Sequence, residues 1–160
     1  MLIRAASDDD AAAVAALWTE GYTNRGPGGR STPYEEWEFA EARRHGSLSV
    51  AVDGSGAVVG VVAFNAPGSP GRVLRGEAEA ELSRLVVATA ARGTGTGRML
   101  AELCGRQARA AGAGSIALWS RPYQVEAHRL YESLGYRRAP ERDSRDGDGE
   151  RLVFVLDFDA

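Results

Sequence analysis

The sequence contains few residues of the types that form disulfides and metal sites. It has one cysteine, Cys104, and two histidines, His45 and His128. A single cysteine excludes an intramolecular disulfide, and two histidines give no recognisable ligand spacing, so we expect no metal. The sequence also lacks the run of roughly 18 to 20 apolar residues that a membrane helix needs, and Met1-Leu2-Ile3-Arg4 is unlike a signal peptide. We therefore expect a cytoplasmic protein with no membrane partner.

The charge of the chain is also unremarkable in sign and size. The formal net charge is -3, with both signs mixed along the sequence. This balance gives no electrostatic reason to expect a nucleic-acid partner. A length of 160 residues suits one core, and we predict a single domain over residues 1–160.

Hydrophobic periodicity and turn signals predict an α/β protein of the α+β type. The predicted strands cover residues 2–4, 47–52, 57–64, 81–87, 115–119 and 150–158, and the longer helices cover 8–22, 98–111 and 123–134. Gly26-Pro27-Gly28-Gly29 breaks the first helix. A short second helix that ends near Arg44 is also predicted. Thr32 can cap it, Pro33 suits its first position, and Glu35 completes a capping box. The order implies a mixed, mostly antiparallel sheet with flanking helices and one parallel βαβ crossover.

The most informative segment is Arg92-Gly93-Thr94-Gly95-Thr96-Gly97-Arg98, which follows a strand and opens a helix. Glycines let a ligand approach the main chain closely. The free N–H groups at a helix start, together with the helix dipole, favour an anion, and the two flanking arginines add charge-assisted contacts. The segment therefore predicts phosphate binding without specifying which phosphate.

Several ligands and one ligand-free alternative compete for this loop. A P-loop would need Lys and then Ser/Thr where Arg98 and Met99 stand. A dinucleotide fingerprint would need a sixth-position glycine and no residues between the strand and its first glycine. Ser120-Arg121 would suit the 2′-phosphate of NADP, but a second βαβ half is missing. A glycine-rich turn without a ligand is the remaining alternative.

Two motifs resemble those of the GNAT superfamily of acyl-CoA-dependent N-acetyltransferases. The loop is similar to the acyl-CoA motif [Gln/Arg]-x-x-Gly-x-[Gly/Ala], which Arg92, Gly95 and Gly97 match. Residues 127–136, with Tyr131 and Gly135-Tyr136, are similar to the second motif, Ala-x-x-x-Tyr-x-x-x-Gly-[Phe/Tyr]. The two motifs stand in the family's order, separated by one helix and one strand. The resemblance implies the GNAT fold, with acetyl-CoA as co-substrate.

The resemblance also implies how the donor is held. The backbone of Leu85, Val86 and Val87 would pair with the pantetheine arm as an added strand, and the Val87 N–H could polarise the thioester carbonyl. The loop from Arg92 to Arg98 would bind the pyrophosphate. Gln124 stands where the family often has Asn, so a contact with CoA would need its longer side chain.

Two residues are the candidates for proton transfer. Tyr131 occupies the family's general-acid position and would protonate the leaving thiolate. Glu81 matches a position where some members keep a general base, with Glu79 as the nearby competitor. Glu81 and Val87 would share a face of an ideal strand, although a bulge, common in the family, would change that parity.

The implied activity is acetyl transfer from acetyl-CoA to a primary amine by direct attack in a ternary complex. The alternative is a non-catalytic acyl-CoA-binding or sensing domain on the same fold. The acceptor, a small molecule or a peptide, stays open, as does a homodimer; Glu35, Glu36, Glu77 and Glu79 hint at a cationic acceptor. We expect residues 143–149 to form a solvated hairpin tip rather than a site.

Overall fold

A computed structural model describes residues 1–26 and 29–158 of the chain. The strands of this part are β1 (Leu2–Ala5), β2 (Ser47–Val52), β3 (Val58–Asn65), β4 (Glu79–Val87), β5 (Ser115–Ser120), β6 (Arg137–Arg138), β7 (Ser144–Asp146) and β8 (Gly149–Asp157). The α-helices are α1 (Ala11–Tyr22), α2 (Glu36–His45), α3 (Thr96–Ala110) and α4 (Val125–Ser133). Pro27 and Gly28 of the predicted helix break lie outside the described residues.

The strands form one mixed sheet in the order β1-β2-β3-β4-β5-β8-β6, and β7 pairs with β8. All pairs are antiparallel except β4 and β5, which run parallel and are joined by α3. The predicted fold class, a mostly antiparallel sheet with one parallel crossover, is therefore confirmed. The strand after α4 is only two residues long, and β7 was not predicted as a strand.

The helices cover both faces of the sheet because neighbouring residues of a strand point in opposite directions. On β3, Val62 and Phe64 join the core beneath α3 and α4, whereas Val61 and Ala63 join the core beneath α1 and α2. Leu100, Ala101, Cys104 and Ala108 form the apolar part of the buried face of α3.

The start of α1 is fixed by an ion pair between the half-exposed Arg4 and the buried Asp10. The Arg4 guanidinium donates to both Asp10 carboxylate oxygens, at 2.7 and 3.0 Å, and the Ser7 amide donates to the same carboxylate at 2.8 Å. The hydrogen bonds from Arg4 lower the pKa of Asp10 to about 2. One carboxylate thus links β1 to the first turn before the helix.

The predicted start of α2 is wrong by about three residues. The helix begins at Glu36 and not at Pro33, and Glu38, rather than Glu35, accepts a backbone hydrogen bond from the capping residue, at 2.9 Å. Arg30 binds both oxygens of Glu38 at 2.8 Å and also donates to the Thr32 and Pro33 carbonyls. These bonds hold residues 32 and 33 outside the helix.

The predicted hairpin near residues 143–149 is confirmed, with Asp146 opposite Gly149 at its tip. The hairpin lies at the start of β8, beside the carboxyl end of β5, since Ser120 pairs with Leu152.

Within the described residues, no helix has the length and apolar character required to cross a membrane.

Candidate active site

Strand β4 contains a bulge that opens the centre of the sheet. Ala63 pairs with Ser83 and Val61 pairs with Val86, so Arg84 and Leu85 stand opposite the single residue Val62. Arg84 has a φ of 51°, a left-handed conformation that non-glycine residues rarely adopt. A bulge of this kind bends its strand and increases the local twist.

The parallel pairing of β4 with β5 ends just before this bulge. The last matched pair is Glu81 with Ala117, and no described residue of β5 pairs with β4 beyond it. A cavity of about 580 Å³ lies at this opening, between the end of β4, the loop before α3 and the start of α4. Its walls include the predicted donor-binding residues Leu85, Val86, Val87 and Gln124.

The backbone of Val87 faces the open side of β4. The Ala88 amide donates to the Val59 carbonyl at 2.8 Å, and Gly60 is the antiparallel partner of Val87. Because successive residues of an antiparallel strand point their N–H and C=O groups to alternate sides, the Val87 groups point away from β3. They are available to an extended chain laid in the opening.

The loop before α3 holds a run of free amides. Gly93 and Gly95 have φ values of 78° and 84°, and Gly95 is the residue that caps the helix. The first amide bonded back into the helix is that of Met99, which donates to the Gly95 carbonyl at 3.0 Å. Within the described residues, the amides of residues 93–98 have no protein acceptor. Such an arrangement fits the pyrophosphate of a CoA ester.

The side chains of the loop divide into two groups. The Arg92 and Arg98 side chains line the cavity, and Arg98 also donates to the Ser133 hydroxyl at 2.7 Å. Thr94 is not among the lining residues, whereas Thr96 is. The Thr94 hydroxyl donates to the Ala91 carbonyl and lies 2.7 Å from the Thr96 hydroxyl. The two threonines therefore brace the loop through their side chains, and the arginines supply its charge.

Gly97 keeps the passage between α3 and α4 open. A Cβ atom at Gly97 would lie 3.3 Å from the Leu130 side chain and 3.6 Å from that of Val87.

On the far wall of the cavity, the Gln124 side-chain carbonyl accepts hydrogen bonds from the Ser120 hydroxyl at 2.9 Å and the Arg121 amide at 2.8 Å. The Gln124 side chain is thereby fixed at the start of α4.

The Tyr131 ring lies in the core between α4 and the sheet. Its centroid lies 5.7 Å from that of Tyr136 and 6.0 Å from that of Phe154, and its hydroxyl forms no hydrogen bond with another described residue. Burial raises the pKa of Tyr131 well above its usual range, and Tyr22 raises it further. Tyr131 is not a lining residue of the cavity, although its neighbours Ala127 and Leu130 are. The phenol therefore keeps its proton near neutral pH.

Glu81 is sealed beneath the segment that precedes β4. It is 1% exposed, and its carboxylate accepts hydrogen bonds from the Leu74 amide at 2.7 Å and the Val73 amide at 2.9 Å. Burial raises the pKa of Glu81, against the lowering effect of those two amides. It lines neither this cavity nor the second one described below.

The bulge also separates the faces on which Glu81 and Val87 lie. The prediction for an ideal strand, that Glu81 and Val87 share a face, is therefore wrong. Val87 points toward Gly97 at the start of α3, whereas Glu81 lies on the opposite side, since its neighbours Ala80 and Leu82 pack in the core beneath α3. The competing carboxylate, Glu79, is bound by the Arg142 guanidinium at 2.8 and 2.9 Å.

A second cavity of about 610 Å³ adjoins the first and shares Arg25, Tyr123 and Gln124 with it. It is lined from three directions, by the end of α1 with Tyr22, by the bulge with Arg84, and by the β7–β8 hairpin. The Tyr22 hydroxyl donates to the Leu85 carbonyl at 3.4 Å, at the boundary between the cavities. The hairpin is therefore a wall of the site as well as a solvated tip.

Sequence reasoning missed the roles of Arg84, Trp119 and the hairpin in this second cavity. The signal available for Trp119 was its place at the carboxyl end of a strand beside a parallel crossover, where ligands commonly bind. Arg84 gives no such signal, because the bulge follows from how β4 pairs with β3 and cannot be read from the composition of β4. None of the four glutamates that hinted at a cationic acceptor lines either cavity.

Cys104 is a core residue. It is fully buried on α3, and burial raises the pKa of its thiol to about 12. A neutral, enclosed thiol does not act as a nucleophile. Among the described residues, no group of three or more His, Cys, Asp or Glu side chains is arranged to hold a metal ion.

Solved structures of similar fold cover nearly the whole chain. A ribosomal-protein-alanine N-acetyltransferase from Brucella melitensis has 23% identity and a TM-score of 0.76, covering 99% of this chain and 100% of its own. A phosphinothricin acetyltransferase from Sinorhizobium meliloti, in complex with AcCoA, has 19% identity and a TM-score of 0.76, with coverages of 98% and 87%. A putative acetyltransferase from Salmonella typhimurium, with its cofactor acetyl-CoA, has 21% identity and a TM-score of 0.73, with coverages of 100% and 95%.

A search of curated protein sequences gives no significant match. The sequence model of the acetyltransferase (GNAT) family, in contrast, matches residues 11–136. This stretch contains the bulged strand, the loop of free amides and the Tyr131 motif, and it makes up more than half of the chain. The chain therefore belongs to the acetyltransferase (GNAT) family.

Proposed function

We propose that this protein transfers an acetyl group from acetyl-CoA to a primary amine by direct attack within a ternary complex. The observation that carries the proposal is the run of free amides at residues 93–98, at the mouth of the opening between β4 and β5. Two relatives of the same fold contain acetyl-CoA, which supports the same donor here.

The residues that would hold the donor follow from the geometry of the first cavity. The amides of Gly93 to Arg98, with the Arg92 guanidinium, would bind the pyrophosphate. The outward-facing N–H and C=O groups of Val87 would pair with the pantetheine arm as a strand does. The donor supplies a thioester as the activated acyl group, and a backbone N–H directed at its carbonyl would stabilise the negative charge that develops there.

Proton transfers at the acceptor nitrogen and at the CoA sulfur must balance the reaction. First, the nitrogen loses two protons, one from the ammonium before attack and one from the tetrahedral intermediate. Second, the released CoA thiolate gains one proton, so that one proton is released overall. Tyr131 is our candidate for the second transfer, because its raised pKa keeps the phenol protonated and its helix borders the first cavity. Glu81 fits the first transfer only through intervening water, since its carboxylate is covered by the Val73 and Leu74 amides.

The direct test is a free-thiol release assay with acetyl-CoA and a panel of amines, with the acetylated product identified by mass spectrometry. We expect thiol release that depends on an amine, with one acetyl group added to it. The chain contains no lysine, so acetylation of its own side-chain amines cannot contribute to the signal. Saturable binding of acetyl-CoA without turnover on any amine would instead support a non-catalytic acyl-CoA-binding domain.

A further inference from the structure

The second cavity has a strongly cationic wall. Its described lining contains six arginines and three acidic residues. Two of the three acidic residues are already bound: Asp146 lies 2.8 Å from Arg121 and 3.0 Å from Arg151, and Glu150 lies 3.0 Å from Arg145. The acidic side chains therefore mainly neutralise their neighbours and leave the cavity with an excess of positive charge.

Arg84 and Arg25 are the arginines of the described lining that have no described carboxylate within 4.0 Å, whereas Arg30 is held by Glu38. The Arg25 guanidinium donates to the Glu20 carbonyl at 3.0 Å, and that of Arg84 forms no hydrogen bond with a described residue. The Arg84 guanidinium carbon lies 4.9 Å from the Trp18 ring centroid and 5.7 Å from that of Tyr34. Contact with aromatic rings orients a guanidinium while its N–H groups stay available to an oxyanion.

The bulge sets the direction of the Arg84 side chain. The Arg84 backbone has a left-handed φ of 51°, a conformation that a non-glycine residue rarely adopts. The bulge that imposes this conformation aims Arg84 into the second cavity, three residues before Val87 and the donor cavity. A ligand that contacts Arg84 would thus lie close to the opening in which the acetyl group is held.

We propose that the acceptor is a small amine that carries an oxyanionic group, such as a free α-amino acid, and that Arg84 binds this group. The inference rests on the proposed acetyltransferase function and specifies its substrate class. A guanidinium recognises a carboxylate or a phosphonate through paired N–H donors. A peptide N-terminus lacks such a group beside its amine and would leave the charge of Arg84 unpaired.

The test compares kcat/KM for matched acceptors: a panel of L-amino acids, their α-amides, their decarboxylated amines and their aminophosphonate analogues. For the best amino acid, we expect a preference over its amide of about 10- to 100-fold, the factor that a charge-assisted hydrogen bond provides. An aminophosphonate that exceeds the carboxylate identifies a phosphorus oxyanion as the natural group. Arg84→Gln should reduce the preference to near unity, mainly through KM, and leave the Kd for acetyl-CoA unchanged.

Arg75→Gln is the matched control, because Arg75 is exposed, has a similar φ of 52° and lines neither cavity. It should keep the preference of the wild-type protein. Equal or better turnover of the amides or decarboxylated amines by the wild-type protein would overturn the inference while leaving the acetyltransferase function intact. An equal loss of preference in both variants would also overturn it. Failure to acetylate any member of the panel, despite binding of acetyl-CoA, would contradict the proposed function itself.

Discussion

Replacing Gly95 with alanine separates the stability of the phosphate loop from its ability to bind. Gly95 caps α3 with a φ of 84°, and a Cβ atom there has open space within 4 Å. The cost to the free protein is therefore that of the left-handed backbone alone, about 1 to 2 kcal/mol. For a chain of this size, that cost lowers Tm by about 2 to 8 °C.

The added methyl group of Gly95→Ala would also stand where a phosphate approaches the amides. Loss of one charge-assisted hydrogen bond raises Kd by about 10- to 100-fold. We therefore expect the Kd of acetyl-CoA, measured by calorimetry, to rise at least about 10-fold. The free energy of unfolding comes from urea denaturation of the same preparation.

The far end of the same helix offers a matched control. Gly112 has a φ of 74° and the same open space, so Gly112→Ala should lose similar stability and bind acetyl-CoA as the wild-type protein does. Gly105, inside the helix with ordinary φ, should gain about 0.5 to 1 kcal/mol on replacement by alanine. Equal effects of Gly95→Ala and Gly112→Ala on the Kd of acetyl-CoA would refute the proposal that the loop before α3 binds its phosphate groups.

Three further predictions concern single proton-binding groups. Tyr131→Phe should lower kcat by about 100-fold with little change in the Kd of acetyl-CoA, and unchanged turnover would remove Tyr131 from the mechanism. Glu81→Gln should abolish the acidic limb of the pH profile of kcat/KM if Glu81 accepts the proton of the amine; a profile identical to that of the wild-type protein would exclude this role. Asp10→Asn should cost about 1 to 2 kcal/mol of unfolding free energy at pH 7. Because folding lowers the pKa of Asp10 from 3.8 to about 2, that difference should be complete above pH 3.8 and decline as the pH falls toward and below about 2; an undiminished difference at pH 2 would contradict the pairing with Arg4.

The elements that the sequence predicted well are those with strong local signals. Strand β2 has the predicted bounds, and the glycine-rich loop opens α3 as the helix-start signals indicated. The start of α2 was mispredicted because Thr32-Pro33 carries a good capping signal locally. A long-range bond from the Tyr34 amide to the Thr19 hydroxyl, at 2.9 Å, and the contacts of Arg30 override that signal.

The features of the site that escaped prediction depend on contacts between distant segments. The bulge at Arg84 follows from the pairing of β4 with β3 and not from the composition of β4. The enclosure of Glu81 depends on how residues 73 and 74, in a loop rich in glycine and proline, fold back over the strand. The first cavity was therefore predictable from motifs, whereas the second cavity required the tertiary structure.

Hydrogen–deuterium exchange with and without acetyl-CoA reports on the backbone amides that we propose to bind the pyrophosphate and the pantetheine arm. On addition of acetyl-CoA, we expect slower exchange in residues 85–87 and 93–98, and unchanged exchange in β1 and β2 on the far side of the sheet. Unchanged exchange across residues 85–98 at saturating acetyl-CoA would exclude this mode of binding.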